Sequence, residues 1–329
     1  MQIADVQLSI CNLMAWTMIC FHRTPGISRW LTVFFAALAA GCERDSTNIG
    51  HFEAAWGSRG ISDGRLQKPR AMAIDRQDRL YIVDMTARIQ VFSTDGRFLH
   101  GWQTPAHELG KPTGLSIDRN GNVWVADTHY YRVLVYNPEG KLLRTIGGAK
   151  GNGPGEFGLV TGVAHDSCNN YYVSEYGEYD RIQKFTPDDK FILQWGGHGS
   201  EPGQFVRPQK MVFDENDHLW VTDACNHRIQ VFDTEGRLLK IWGTEGSGPG
   251  ELYYPYDIAL TDDGSVTICE FGNHRVQKFT RDGLSLGCFG TRGRGEGQFN
   301  NPWAVVRDSR GMLYVLDTGN HRVQVVGMK

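Results

Sequence analysis

The stretch LWVTDACNHRIQVF, Leu219 to Phe232, holds two runs of alternating apolar residues separated by a polar turn that opens at Asp223 and closes at Arg228. Period-two alternation interrupted by turn residues is the pattern of two strands joined by a hairpin. The stretch recurs as LYIVDMTARIQVF from Leu80, VWVADTHYYRVLVY from Val123, YYVSEYGEYDRIQKF from Tyr171, VTICEFGNHRVQKF from Val266 and LYVLDTGNHRVQVV from Leu313. The acidic residue falls at Asp84, Asp127, Glu175, Asp223, Glu270 and Asp317, at intervals of 43, 48, 48, 47 and 47. The arginine that closes each turn is Arg88, Arg132, Arg181, Arg228, Arg275 or Arg322.

Working outward from this hairpin, a D-G or E-G turn leads to a third run such as RLLKIWG, Arg237 to Gly243, and a further run precedes it, as in PQKMVFD from Pro208 and PTGLSID from Pro112. Four strands in a repeat of roughly 40 to 50 residues make one propeller blade. The last repeat stops three residues after Val326, too soon for a fourth strand. FEAAWG, Phe52 to Gly57, matches the outer runs LKIWG from Leu239 and LQWG from Leu193. The sequence therefore predicts an all-β, six-bladed propeller of four-stranded antiparallel blades over residues 52–329, its last blade completed by the N-terminal strand. Such closure leaves no long sheet edge exposed.

The motifs NHRIQVF from Asn226, NHRVQKF from Asn273 and NHRVQVV from Asn320, each behind an acidic residue and a strand, resemble NHL repeats, and the resemblance runs from residue 52 to 326. Blade one shortens the turn to Asp84–Arg88; blade three lengthens it to Glu175–Arg181 and carries Val160 where other repeats have proline. These two blades are expected to differ on the loop side. The wider family includes peptidyl-hydroxyglycine amidating lyases, which resemble this architecture and hold zinc with histidines, some near inner-strand starts. The equivalent places here are Arg70, Thr113, Gln209, Tyr256 and Trp303, with no histidine among them. Related repeats also occur in ubiquitin ligases, RNA-binding proteins and sensor kinases, but this sequence has neither a zinc module nor a kinase segment.

The 40 glycines suit a chain with many tight turns, and the balance of 34 basic against 37 acidic residues supplies no positive field for nucleic acid. The 7 cysteines show no C-x-x-C spacing, and most of the later ones are expected to pack as small apolar groups. Behind Arg23 and Arg29 lies the apolar run WLTVFFAALAAG, residues 30–41, followed at once by Cys42. The run is shorter than the roughly 20 residues of a spanning helix and suits an export signal. Leu38-Ala39-Ala40-Gly41-Cys42 resembles a bacterial lipobox, so residues 1–41 read as a cleaved signal, Cys42 as the lipidated residue, and residues 42–51 as a short tether. Met14 and Met18 offer alternative starts. The expected location is the cell envelope, anchored by lipid.

One acidic–arginine pair per blade reads as a structural clamp at the hairpin, and His227, His274 and His321 read as turn-packing residues. Neighbouring blades diverge where these histidines sit, whereas zinc needs nitrogens within about 2.1 Å. GISDG at Gly60–Gly64 matches the hydrolase elbow by letters alone, since no strand-to-helix context surrounds it. The glycine-rich stretches from Gly151, Gly246 and Gly293 read as blade connectors, because no helix follows to bind phosphate.

The face carrying the connectors and the second-to-third-strand turns is expected to gather Arg70, Thr113, Lys210, Tyr256, Asp257 and Trp303 around the axis. His129, Tyr130, Tyr131, Tyr176, Tyr179, Cys225 and Phe271 are expected further out. Aromatic and charged groups in that setting suit a protein, a peptide or a polar small ligand. The expectation is a non-catalytic binding scaffold with no cofactor, no metal and no nucleic-acid partner. The alternative is a metal-dependent lyase or hydrolase in the central channel, using residues such as Asp257 and His165.

Overall fold

The computed structural model describes residues 48–261 and 263–329. The signal segment, Cys42 and the start-site reading lie outside the described residues. Among the described residues, six four-stranded antiparallel sheets follow one another around a ring. Blade four is typical: inner strand Pro208–Phe213, then Leu219–Asp223, Arg228–Phe232 and outer strand Leu238–Trp242, each paired with the next. Blade six takes its outer strand from the start of the propeller: Gly50–Trp56 pairs with Arg322–Met328, with Phe52 opposite Val326 and Trp56 opposite Val323. The closing strand thus begins at Gly50, so two residues read as tether belong to the blade.

The apolar core is divided among the blade interfaces. Six buried clusters form, each shared by two neighbouring blades, and the one between blades six and one joins Tyr314, Leu316 and Val323 to Met72, Ile82 and Phe92. Alternating strand residues supply both faces of every blade, so each sheet is apolar on two sides and its exposed strand residues lie on the outer strand. Outer-strand tryptophans pack on the turn glycine of the next blade. A Cβ on Gly96 would lie 2.4 Å from the Trp56 ring, and on Gly236 2.7 Å from Trp195.

Connectors between blades carry one apolar plug each. Leu66, Phe157, Phe205, Leu252 and Phe299 are all fully buried. Blade two is the exception: its connector is three residues shorter, and the matching Leu109 is 72% exposed.

The six inner strands line the channel in levels. From the connector face, the first level is Arg70, Thr113, Thr161, Gln209, Tyr256 and Trp303; the second is Ala71, Gly114, Gly162, Lys210, Asp257 and Ala304. The fourth is Ala73, Ser116, Ala164, Val212, Ala259 and Val306; the fifth is Ile74, Ile117, His165, Phe213, Leu260 and Arg307.

Candidate functional site

The repeated charges form clamps. Each arginine Nε donates to its acidic partner in blades two to six, at 2.7 Å in Arg132–Asp127, Arg228–Asp223 and Arg322–Asp317. The same arginines also tie down the connectors: Arg228 Nη groups donate to the carbonyls of Ser200, Glu201 and Gln204, and Arg275 to those of Ser247, Gly248 and Glu251. A buried glutamine two residues on completes the network; Gln230 donates to Gln204 O and to Asp223 and accepts from Gly203 N–H. These bonds meet the donors and acceptors that burial would otherwise strand.

Sequence reasoning missed that glutamine and its loss in blade two, where Leu134 takes its place. There the connector sits differently, and Asp127 Oδ1, His129 Nδ1 and Arg132 Nη2 are buried without partners. Burial raises the Asp127 pKa, against the lowering pull of Arg132. His227, His274 and His321 each accept a backbone N–H from the following connector through Nδ1, from Tyr254, Asn301 and Lys68. In blade three Asp180 does this for Arg207.

The structure brings Arg70, Thr113, Lys210, Tyr256, Asp257 and Trp303 together in one cleft at the connector end of the channel, about 20 Å³ in volume. That is room for about one water molecule. Thr113 is occupied by a 2.7 Å hydrogen bond to Thr128 Oγ1. On the second level Lys210 Nζ lies 3.8 Å from Asp257 Oδ1 and donates to Leu115 O at 3.2 Å. Asp257 is buried and also accepts the N–H groups of Ile258 and Val305. Burial pushes its carboxyl up to about 6, with Lys210 pulling the other way.

Above this pair the first level forms an aromatic–cation rim. Tyr256 stacks on Phe271 at 4.6 Å and meets Trp303 edge-on at 4.9 Å. Arg70 lies over Trp303 at 5.8 Å; Arg207 lies over Tyr176 at 4.9 Å and over Tyr256 at 5.3 Å. Burial and the neighbouring Arg207 hold the Arg70 guanidinium below its ordinary pKa. Trp303 Nε1 is a buried donor without a partner.

Arg207 was absent from the sequence expectation. Its signal was an arginine directly before the inner-strand proline, where other repeats carry Lys68, Lys111, Leu159, Tyr254 and Asn301. His129 and Tyr130 are not part of this rim. Tyr130 donates to Glu108, accepts from Leu109 N–H and lies under Arg132 at 4.7 Å.

Among the described residues no group of three or more His, Cys, Asp or Glu side chains is placed to hold a metal ion. Asp257 and His165 stand three levels apart along the strands, roughly 10 Å. Burial against Trp124 pushes His165 down to about 4. Of the later cysteines Cys269 is buried, Cys225 and Cys288 are half-buried, and Cys168 is exposed.

The family model described as NHL repeat matches residues 109–136, 205–232, 252–279 and 299–326. The chain is similar to rat peptidylglycine alpha-amidating monooxygenase, 37% identical over 128 residues, covering 36% of this chain and 13% of that protein. It is also similar to mouse NHL repeat-containing protein 3, 29% identical over 176 residues, covering 48% and 49%. The chain thus spans no more than about half the length of these curated relatives. Among solved structures, a structural-genomics protein from Bacteroides thetaiotaomicron superposes with a TM-score of 0.64 at 16% identity, covering 85% of this chain and 76% of that one.

Proposed function

We propose, from the premise that this chain is an NHL-repeat six-bladed β-propeller, that it is a non-catalytic binding protein that holds an anionic group of a peptide or protein partner at the channel mouth. One observation carries this reading: Arg70, Arg207 and the unpartnered Trp303 indole N–H share a single aromatic rim. Two guanidinium groups beside each other repel, and a carboxylate between them relieves that repulsion while accepting planar, charge-assisted hydrogen bonds. The cleft beneath is too small for a whole ligand, so the bulk of the partner rests on the surrounding face and only one group enters. Tyr176, Tyr256 and Phe271 supply the apolar contact that such anchors use.

The reading is tested by calorimetric titration of short acetylated peptides, each made as the free acid and as the C-terminal amide. Free acids are expected to bind at least tenfold more tightly than amides, and Arg70→Ala to remove that preference. Equal binding of the two forms, or a preference that survives Arg70→Ala, contradicts it.

The lipobox-like segment ending at Cys42 supports a lipid-anchored location in the cell envelope. Palmitate labelling is expected in the wild type and absent in Cys42→Ala; labelling that persists in the variant overturns the anchor.

A further inference from the structure

The far end of the channel is unlike the mouth. Four of the six fourth-level residues are alanine or serine, namely Ala73, Ser116, Ala164 and Ala259. Small side chains there leave a cavity of about 330 Å³ on the opposite side of the Lys210–Asp257 pair from the rim. That volume lies at the small end of the range for ligand pockets, roughly 300–1,000 Å³. The wall is apolar, with Leu115, Val163, Met211, Ile258 and Val305 from five successive blades.

Six polar side chains line it: the cations Lys210, Arg119 and Arg307, the anion Asp118, and Ser116 and His165, whose imidazole burial pushes down to about 4. Lys210 lines both the cleft and this cavity, whereas Asp257 lines only the cleft. From blade four the Lys210 ammonium reaches past blade three to Leu115 O on blade two, so it roofs the cavity across the channel. An ammonium has three N–H donors. One is spent on Leu115 and one is directed toward Asp257, which leaves a donor for a third acceptor. Packing does not call for a long cation at this level, where four blades carry Ala71, Gly114, Gly162 and Ala304.

Arg119 and Arg307 stand at the outer rim, and Arg119 donates to Ser167 O. The carboxylate of Asp118 is already met by the N–H groups of Asn120 and Asn122, the Asn122 amide and the Trp124 indole.

We propose that this far cavity is a second binding site, for a small amphipathic carboxylate whose acid group lies under Lys210 and whose apolar body fills the space between the inner strands. The site is separate from the channel mouth and does not depend on the peptide reading.

The test is calorimetry on the purified propeller with cyclohexanecarboxylate and hexanoate, against the alcohols and amines with the same carbon skeletons. The acids are expected to bind saturably with a Kd in the millimolar range or tighter, and the alcohols and amines at least tenfold more weakly. Ala259→Met, which fills the far cavity alone, is expected to weaken acid binding at least tenfold, and Arg70→Ala at the mouth to change it less than twofold. Where Ala259→Met lowers the melting temperature, Lys210→Met reads the same claim and is expected to bind acid and alcohol alike. The proposal is overturned by absence of saturable binding, by alcohols or amines that match the acids, by acid binding that ignores both cavity variants, or by its loss in Arg70→Ala.

Discussion

Lys210 and Asp257 occupy positions where the other four blades carry alanine or glycine, and that break in the repeat gives the channel its chemistry. Because burial holds the Asp257 carboxyl near 6, above its ordinary 3.8, the folded chain keeps a proton there that the unfolded chain has lost. The contribution of this group to stability therefore grows as pH falls from about 6 toward about 4 and is absent above that window. A carbon-detected NMR titration is expected to place the Asp257 midpoint near 6 and to move it higher in Lys210→Met; a midpoint near 4 contradicts the burial argument.

The clamp arginines behave differently. In Arg228→Met the carboxylate of Asp223 loses its only cationic partner among the described residues and the carbonyls of Ser200, Glu201 and Gln204 lose the Arg228 donors, while Gln230 still donates to Asp223 and Gln204 O. Leaving a buried charge unpaired costs about 3–5 kcal/mol. Urea denaturation is expected to show that loss for Arg228→Met and less than about 1 kcal/mol for the rim variant Arg70→Ala. Equal losses would mean that the repeated charges are not architectural. The first-level residues were legible in the sequence because one strand start per blade can be aligned by eye. Arg207 was not, since it precedes the strand and reaches the rim only through the turn at its positive φ of 62°.

At the scale of the element, the connector decides how each blade is fastened. Five connectors place a glycine N–H on a buried glutamine and an apolar plug between blades, as in Gly203 on Gln230 with Phe205 buried. The connector to blade two meets Leu134 in place of that glutamine, and its Leu109 remains exposed. Local opening follows from few buried contacts and few protected hydrogen bonds. Amide exchange is therefore expected to be faster over residues 104–111 than over the equivalent residues 244–254; equal protection would show that the short connector is fastened by other means. The interval of 43 between Asp84 and Asp127, against 47 or 48 elsewhere, was the sequence signal of this difference. The short turn Asp84–Arg88 accounts for one of the four missing residues, and the other three come from the connector to blade two. Spacing shows that residues are missing but not which bonds are lost with them.

On the scale of the whole molecule, six interfaces make a ring, and the ring holds only if its last sheet is completed. The match of FEAAWG to the other outer strands made that closure legible, because a strand register needs only its apolar pattern to be recognised. The channel's division into a narrow mouth and a wide far end was not legible, since it depends on which levels face each other across the axis. A chain that starts after Trp56 leaves Arg322–Met328 as an exposed edge. Its melting temperature is expected to fall by roughly 10 °C or more. A synthetic peptide of residues 48–57 is expected to recover part of that loss, and an unchanged melting temperature would contradict closure through this strand.

On the proposed function, the mouth of this ring recognises an anionic group. The most direct measurement is the NMR signal of the Trp303 indole N–H during titration with a free-acid peptide and with its amide. The claim predicts a saturable downfield shift with the acid alone, lost in Arg70→Ala. A Trp303 signal that stays in place while the acid binds elsewhere on the propeller would contradict it.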